Sequence, residues 1–270
     1  MTPKEFIKRI SYARHDQHPS QNFGDFVDLA FHTLAKASWM GWGQAQDSEK
    51  PTYHEAEYMR IVERYRSRDQ LDVLRNDMPE LMAAVMVEVG KGHCDYLGAI
   101  ASELEALNAH AGQFFTPYDV CRMMAEITFG DAEGMVRERG FITVSEPAAG
   151  AGAMVLAAAD LLESKGLPVT TSMFVEACDL SDLAFKMCFI QLQARGVAAH
   201  VVRGNTLSGK REEYEMEVVP TLGTLAFFAR HGHPFADQVP EAGKMMPAPE
   251  PTPALPPAGT QFTFDLGDAA

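Results

Sequence analysis

The stretch that most constrains this chain runs from Phe141 to Met154 and reads Phe-Ile-Thr-Val-Ser-Glu-Pro-Ala-Ala-Gly-Ala-Gly-Ala-Met. Ile142 and Val144 suit a buried strand, Glu146-Pro147 stops it, and Gly150 and Gly152 permit a tight turn with no Cβ between backbone and ligand. The alanine-rich run at 154–162 predicts a helix whose free N–H groups point back at that turn. A strand, a glycine turn and a helix in this order read as the cofactor-binding hinge of an α/β domain, the alternative being a plain tight βα connection.

At 270 residues and 46% hydrophobic, the chain is long enough for one good core plus an appendage. It contains no apolar run of membrane length and no signal peptide, so a soluble cytoplasmic protein with no membrane partner is expected. Cys94, Cys121, Cys178 and Cys188 lack CxxC spacing, and Cys178 and Cys188 suit buried thiols. Neither a metal site nor a disulfide framework is expected. The net charge is −14, and residues 1–110, 111–228 and 229–270 are each net negative, which counts against tight autonomous binding of nucleic acid. The densest basic cluster is Arg60, Arg64, Arg66 and Arg68. It reads either as a contact to a phosphate backbone or as a solvated face paired with Glu57, Glu63 and Asp69.

Along the chain, Phe6, Ile10, Phe23, Phe26, Val27, Phe31 and Leu34 recur at helical spacing and are interrupted by the loop from His15 to Ser20, which predicts two helices within 3–38. Helices over 53–65, 78–89 with Pro79 at its start, 97–107 and 118–129 follow. A second strand over 172–177 ends in Glu-Ala-Cys-Asp179, and a third over 200–203 ends in Gly204-Asn-Thr-Leu207. Beyond Leu207 only 214–228 looks foldable, with room for at most one more strand. From 229 the composition shifts to Pro, Ala and Gly, which cannot bury enough apolar surface to fold. The expected organisation is a helical domain at 1–110, a cofactor-binding domain at 111–228 and a disordered tail at 229–270.

Gly112-Gln-Phe-Phe-Thr-Pro117, then a helix, then Glu-Pro-Ala-Ala-Gly-Ala-Gly, then an acidic residue after a second strand, resembles the N6-adenine DNA methyltransferases. The likeness is closest to the modification subunits of type I restriction systems, which carry a helical domain ahead of the same motifs. It covers about residues 80–208 and implies a truncated Rossmann-like methyltransferase core that binds S-adenosylmethionine and acts on DNA. The resemblance implies that Phe114, Phe115, Thr116 and Pro117 lie against the methionine end of the cofactor. It further implies that Glu146, Pro147, Gly150 and Gly152 form the turn beneath it, with Glu146 near the ammonium group. Asp179 falls at the family's ribose-binding carboxylate, and Glu176 is the alternative. The residues agree with this role, since a carboxylate at a strand's C-terminal end can accept both ribose hydroxyls. Asn205 stands where the family usually has Asp and keeps an acceptor for the adenine amino group.

The family's catalytic signature, Asn or Asp followed by Pro, Pro and an aromatic, does not occur in this sequence. Its polar side chain and a backbone carbonyl accept hydrogen bonds from the target amine while the aromatic stacks on the flipped base. Pro256-Pro257 is flanked by Leu255 and Ala258, and the expected position reads Glu217-Val-Val-Pro-Thr-Leu-Gly-Thr-Leu225. No catalytic residue is therefore assigned, with Asn205 as the one weak candidate. Two readings follow: a methyltransferase that relies on a partner for catalysis, or a catalytically silent cofactor-binding subunit. With so few strands, the glycine-turn strand is expected near an open sheet edge, covered by the N-terminal helices, by 222–228, or by a second copy or another subunit. After a Pro-rich spacer, Gln261-Phe-Thr-Phe-Asp-Leu266 resembles the peptides that dock bacterial replication proteins on the sliding clamp. Phe264 and Leu266 would share one side of an extended segment, the alternative being an idle tail.

Overall fold

The computed structural model describes residues 1–41, 49–104, 115–208, 215–219 and 221–232. Phe114, Tyr214 and Gln261 to Leu266 lie outside the described residues. The first helix, α1 (Pro3–Ser11), begins at a reciprocal cap: Glu5 N donates to Thr2 Oγ1 at 3.3 Å, and Thr2 N donates to the Glu5 carboxylate at 2.7 Å. α1 buries Phe6 and Ile10 against α2 (Pro19–Gly41), where Phe6 meets Phe23 and Phe26 edge-on with centroids 6.3 and 5.1 Å apart. α3 (Lys50–Val62), α4 (Arg68–Asp72), α5 (Met78–Gly90) and α6 (Tyr96–Glu103) complete this helical group. α5 begins at Met78 with Pro79 in its first turn, as the sequence reads, and α4 runs into it through a π-helical turn at Val73–Asp77. A widened turn absorbs the backbone bond that a proline cannot donate.

α7 (Tyr118–Phe129) and α8 (Ala132–Arg139) lead into the sheet. The short α8 carries no strong apolar period and was not foreseen; an Asp131 cap and Gly140 at φ 88° define its ends. β1 (Ile142–Glu146), β2 (Met173–Asp179) and β3 (Ala198–Arg203) are parallel neighbours in that order, and β4 (Glu215–Val218) closes the sheet antiparallel to β3. α9 (Ala153–Ser164) and the short α10 (Val169–Ser172) join β1 to β2, α11 (Asp182–Arg195) joins β2 to β3, and α12 (Leu222–His231) follows β4. Cofactor chemistry in such sheets collects where parallel strands end and helices begin.

Strand alternation divides the sheet's packing. Val175, Ala177, Ala199 and Val201 belong to the same buried cluster as Phe185 and Phe189 of α11. Phe31 of α2 meets those two rings edge-on at 5.3 and 5.1 Å, so the N-terminal helices and the sheet share one core. Phe174 points the other way, with His200, Phe227 and Phe228 at 5.1, 5.3 and 5.9 Å. At one end of the sheet, Glu217 of β4 is fully buried. It accepts from Lys50 Nζ at 2.5 Å and lies 3.4 Å from His54 Nε2, whose Nδ1 is 3.0 Å from Nδ1 of His32. At the other end β1 pairs with no further strand among the described residues, and Thr143 and Ser145 are exposed. No helix among the described residues is long and apolar enough to cross a membrane.

Candidate active site

The glycine turn after β1 is held from beneath by the end of β2. Ala149 N donates to Cys178 O at 2.8 Å, and Gly150 N donates to Asp179 Oδ2 at 2.8 Å. The other carboxylate oxygen of Asp179 accepts from Ser181 N at 2.8 Å, which fixes the side chain at the strand's rim. Each oxygen keeps a further lone pair, so Asp179 retains acceptor capacity for a ligand. Glu176 is paired in register with Ser145 and His200 inside the sheet, three residues short of that rim.

The two glycines serve different ends. Gly150 sits at φ 56°, and a Cβ there would meet the Phe115 ring at 3.1 Å, so the Phe-Thr-Pro segment closes directly over the turn. Gly152 sits at φ 99°, and its Cβ would meet Cys188 Sγ of α11 at 3.2 Å. The sequence suggested that both kept space for a ligand. At Gly152 the clash is instead with a neighbouring helix, and the left-handed backbone is what excludes a side chain. Glu146 is half-buried and accepts from Ala148 N at 3.1 Å; Pro147, Thr116 and Pro117 are exposed at the same rim. Thr206 Oγ1 donates to Pro147 O at 3.2 Å, which draws the loop after β3 across to the β1 loop. Asn205 is exposed, and its Oδ1 accepts from Leu207 N at 3.1 Å. The structure thus brings Phe115, Glu146, Pro147, Gly150, Asp179 and Asn205 to the carboxyl ends of three parallel strands.

Two supporting residues were missed from the sequence. Gln191, buried on α11, donates through Nε2 to Ala151 O and to Asp95 Oδ1, both at 2.7 Å, and accepts from Leu97 N at 3.0 Å. It ties the glycine turn to the N-terminal cap of α6. Burial pushes the Asp95 carboxyl up, opposed by hydrogen bonds from Gln191 and Gly98. Asp160, buried on α9, accepts from Tyr118 Oη at 2.6 Å, from His93 N at 2.7 Å and from Arg195 Nη2 at 3.1 Å. Burial and the Asp160 carboxylate push the Tyr118 phenol far above its usual range, so it serves as a donor that anchors the start of α7. A polar residue inside an otherwise apolar helical run was the available signal for Gln191 and Asp160.

Residues 97–222 match the N-6 DNA methylase family model. Over this stretch the chain is similar to the N-6 DNA methylases. The match begins in α6 and ends at the start of α12, so it contains the Phe-Thr-Pro segment, the glycine turn and all four strands. Comparison with curated proteins and with solved structures gives no match. The match makes DNA methylation the chemistry of reference for these residues, and it agrees with their mixed α/β architecture.

Proposed function

We propose that the rim formed by β1, β2 and β3 binds S-adenosylmethionine and that the protein is the cofactor-binding part of a DNA adenine-N6 methyltransferase. The observation that carries this reading is the Asp179 carboxylate held against the glycine turn, with Phe115 packed over Gly150. The residues fit the cofactor. Asp179 has acceptors left for two ribose hydroxyls, Glu146 offers a half-buried carboxylate to an ammonium group, and the turn admits no side chain at Gly150. Phe115, Thr116 and Pro117, together with Phe114, would line the methionine end; Pro147 and Gly152 would shape the turn; Asn205 would accept from the adenine amino group. When bound, the cofactor supplies an electrophilic methyl group. The chain's own residues hold and orient it, within a truncated Rossmann-like core behind a helical domain at 1–110 and ahead of a tail from 229.

Catalysis needs more than this rim. An amine nucleophile of low basicity has to be polarised by a positioned acceptor, and the described rim offers Asn205, whose Oδ1 already accepts a backbone amide. We therefore assign the catalytic loop to a partner subunit within a restriction-modification type of assembly. Its natural seat is the outer edge of β1 together with Val120, Met123, Met124 and Ile127, an exposed apolar stripe on α7 opposite the face that packs on α9. The second reading, which the missing signature also fits, is a silent regulatory subunit. Recruitment to DNA through Gln261, Phe264 and Leu266 on a sliding clamp would suit a chain of net charge −14. Calorimetry of the full chain with S-adenosylmethionine tests the first step. Asp179→Ala should weaken binding by about 1.5–3 kcal/mol through loss of charge-assisted bonds, and no binding at millimolar cofactor would end the reading. Labelled methyl transfer to DNA should be absent with the chain alone. Its appearance with a partner subunit would select the enzyme, and its persistent absence would select the silent subunit.

A further inference from the structure

The four-arginine cluster does not behave as one surface. Arg60 pairs with Glu57 at 2.7 Å along α3, as a solvated helix face would. Arg64 turns inward to Asp25 at 2.7 Å. Asp25 is buried and also accepts from Tyr65 Oη at 3.3 Å and from Gln17 Nε2 at 3.2 Å. Arg14 grips Asp16 with two nitrogens at 3.1 and 2.6 Å and lies over the Tyr65 ring at 5.5 Å. Arg66 donates from Nε to Glu63 O at 3.3 Å and meets no carboxylate among the described residues. Arg14, Arg64 and Arg66, with Asp16 and Gln70, line an open cavity of about 520 Å³ between the loop joining α1 to α2 and the loop joining α3 to α4.

We infer that this cavity is a grip for the phosphate backbone of duplex DNA, a site that rests on the DNA-modifying reading above. Three guanidinium groups converge on it against Asp16 in the lining and Asp25 beneath, which leaves a net positive depression on a chain of net charge −14. Two of the three are held in place before any ligand arrives, Arg14 by Asp16 and Tyr65, and Arg64 by Asp25. Little side-chain entropy is then lost on binding. The two terminal nitrogens of Arg66 meet no partner among the described residues, and a planar guanidinium fork matches two non-bridging oxygens of a phosphodiester better than a point charge does. The cavity is open rather than enclosed, as a backbone running across the surface requires. It fixes position on the duplex and reads no sequence.

The test is fluorescence anisotropy of the full chain with a labelled DNA duplex over a range of salt. Arg66→Glu is compared with Arg60→Glu, an equal change of charge on the neighbouring helix face outside the cavity. Arg66→Glu should weaken binding by roughly tenfold or more and reduce the salt slope by about one, whereas Arg60→Glu should change affinity by less than about twofold. Both variants are exposed substitutions and should keep wild-type thermal stability and S-adenosylmethionine affinity. Equal losses in the two variants, or no loss in Arg66→Glu, would overturn the site. Displacement of duplex by millimolar inorganic phosphate at constant ionic strength would make it a small-anion site and overturn its assignment to DNA. Cofactor binding by a chain that holds no duplex would refute this grip and leave the cofactor reading standing.

Discussion

Replacing Gln191 by Leu keeps the side-chain volume and removes the polar end that links the glycine turn to α6. Leu97 N–H and Ala151 C=O would then be left buried without these partners, and Asp95 would keep only Gly98 N, at 2.9 Å, of its two donors. Each buried polar group left unsatisfied costs about 1–3 kcal/mol. With partial relaxation, the three losses together should amount to about 3–5 kcal/mol, a large part of the ~5–15 kcal/mol that holds a typical domain folded. At roughly 2–4 °C per kcal/mol for a chain of this size, the melting temperature should fall by about 6–20 °C. Thermal and denaturant unfolding of the full chain would read this directly. Gln191→Glu makes the complementary variant. It keeps an acceptor for Leu97 N but sets a second carboxylate beside Asp95, whose carboxyl burial already pushes up. The folded pair then binds a proton more tightly than the unfolded chain, so this variant should regain stability as pH is lowered below neutrality and lose it as pH rises. If Gln191→Leu unfolds within about 1 kcal/mol of the wild type and binds cofactor unchanged, the turn does not depend on this bridge.

Other substitutions probe separate parts of the fold. Gly152→Val should destabilise the folded chain even without cofactor, by about 1–3 kcal/mol from the φ of 99° alone, with Cys188 Sγ in the way as well; unchanged unfolding with lost cofactor binding would mean that the residue's role is purely ligand clearance. His32 is held neutral in the folded chain, its pKa lowered from 6.5 to about 4 by burial first and then by Lys186 and His54, against opposing pulls from Glu57 and Asp182. The unfolded chain therefore binds the extra proton, and stability contributed by His32 should be full above about pH 6.5 and decline as pH falls toward 4. His32→Gln should flatten the unfolding midpoint between pH 6.5 and 5; an unchanged slope would move the cause to another group.

The sequence by itself determined the pieces whose physics is local. The helix at Tyr118–Phe129 was read at its observed bounds, and the strand, glycine turn and helix after Phe141 follow from residues within a few positions of each other. Phe115, Asp179 and Asn205 were singled out by the resemblance, whose short motifs lie at the ends of these elements. The open edge at β1 was expected from how few strands follow it, but the order of the strands and the antiparallel entry of β4 depend on pairing between distant segments, for which single residues carry no label. The same holds for the second layer of the site. Gln191 reaches residues 94 and 96 positions away, and Asp160 collects donors from α7, α11 and the loop before α6. Arg64 looked like one of four equivalent surface charges until folding brought the buried Asp25 within 2.7 Å of it. A side chain's type is fixed by the sequence, but whether its charge is spent on a neighbour or left for a ligand depends on which distant groups the tertiary structure seals beside it.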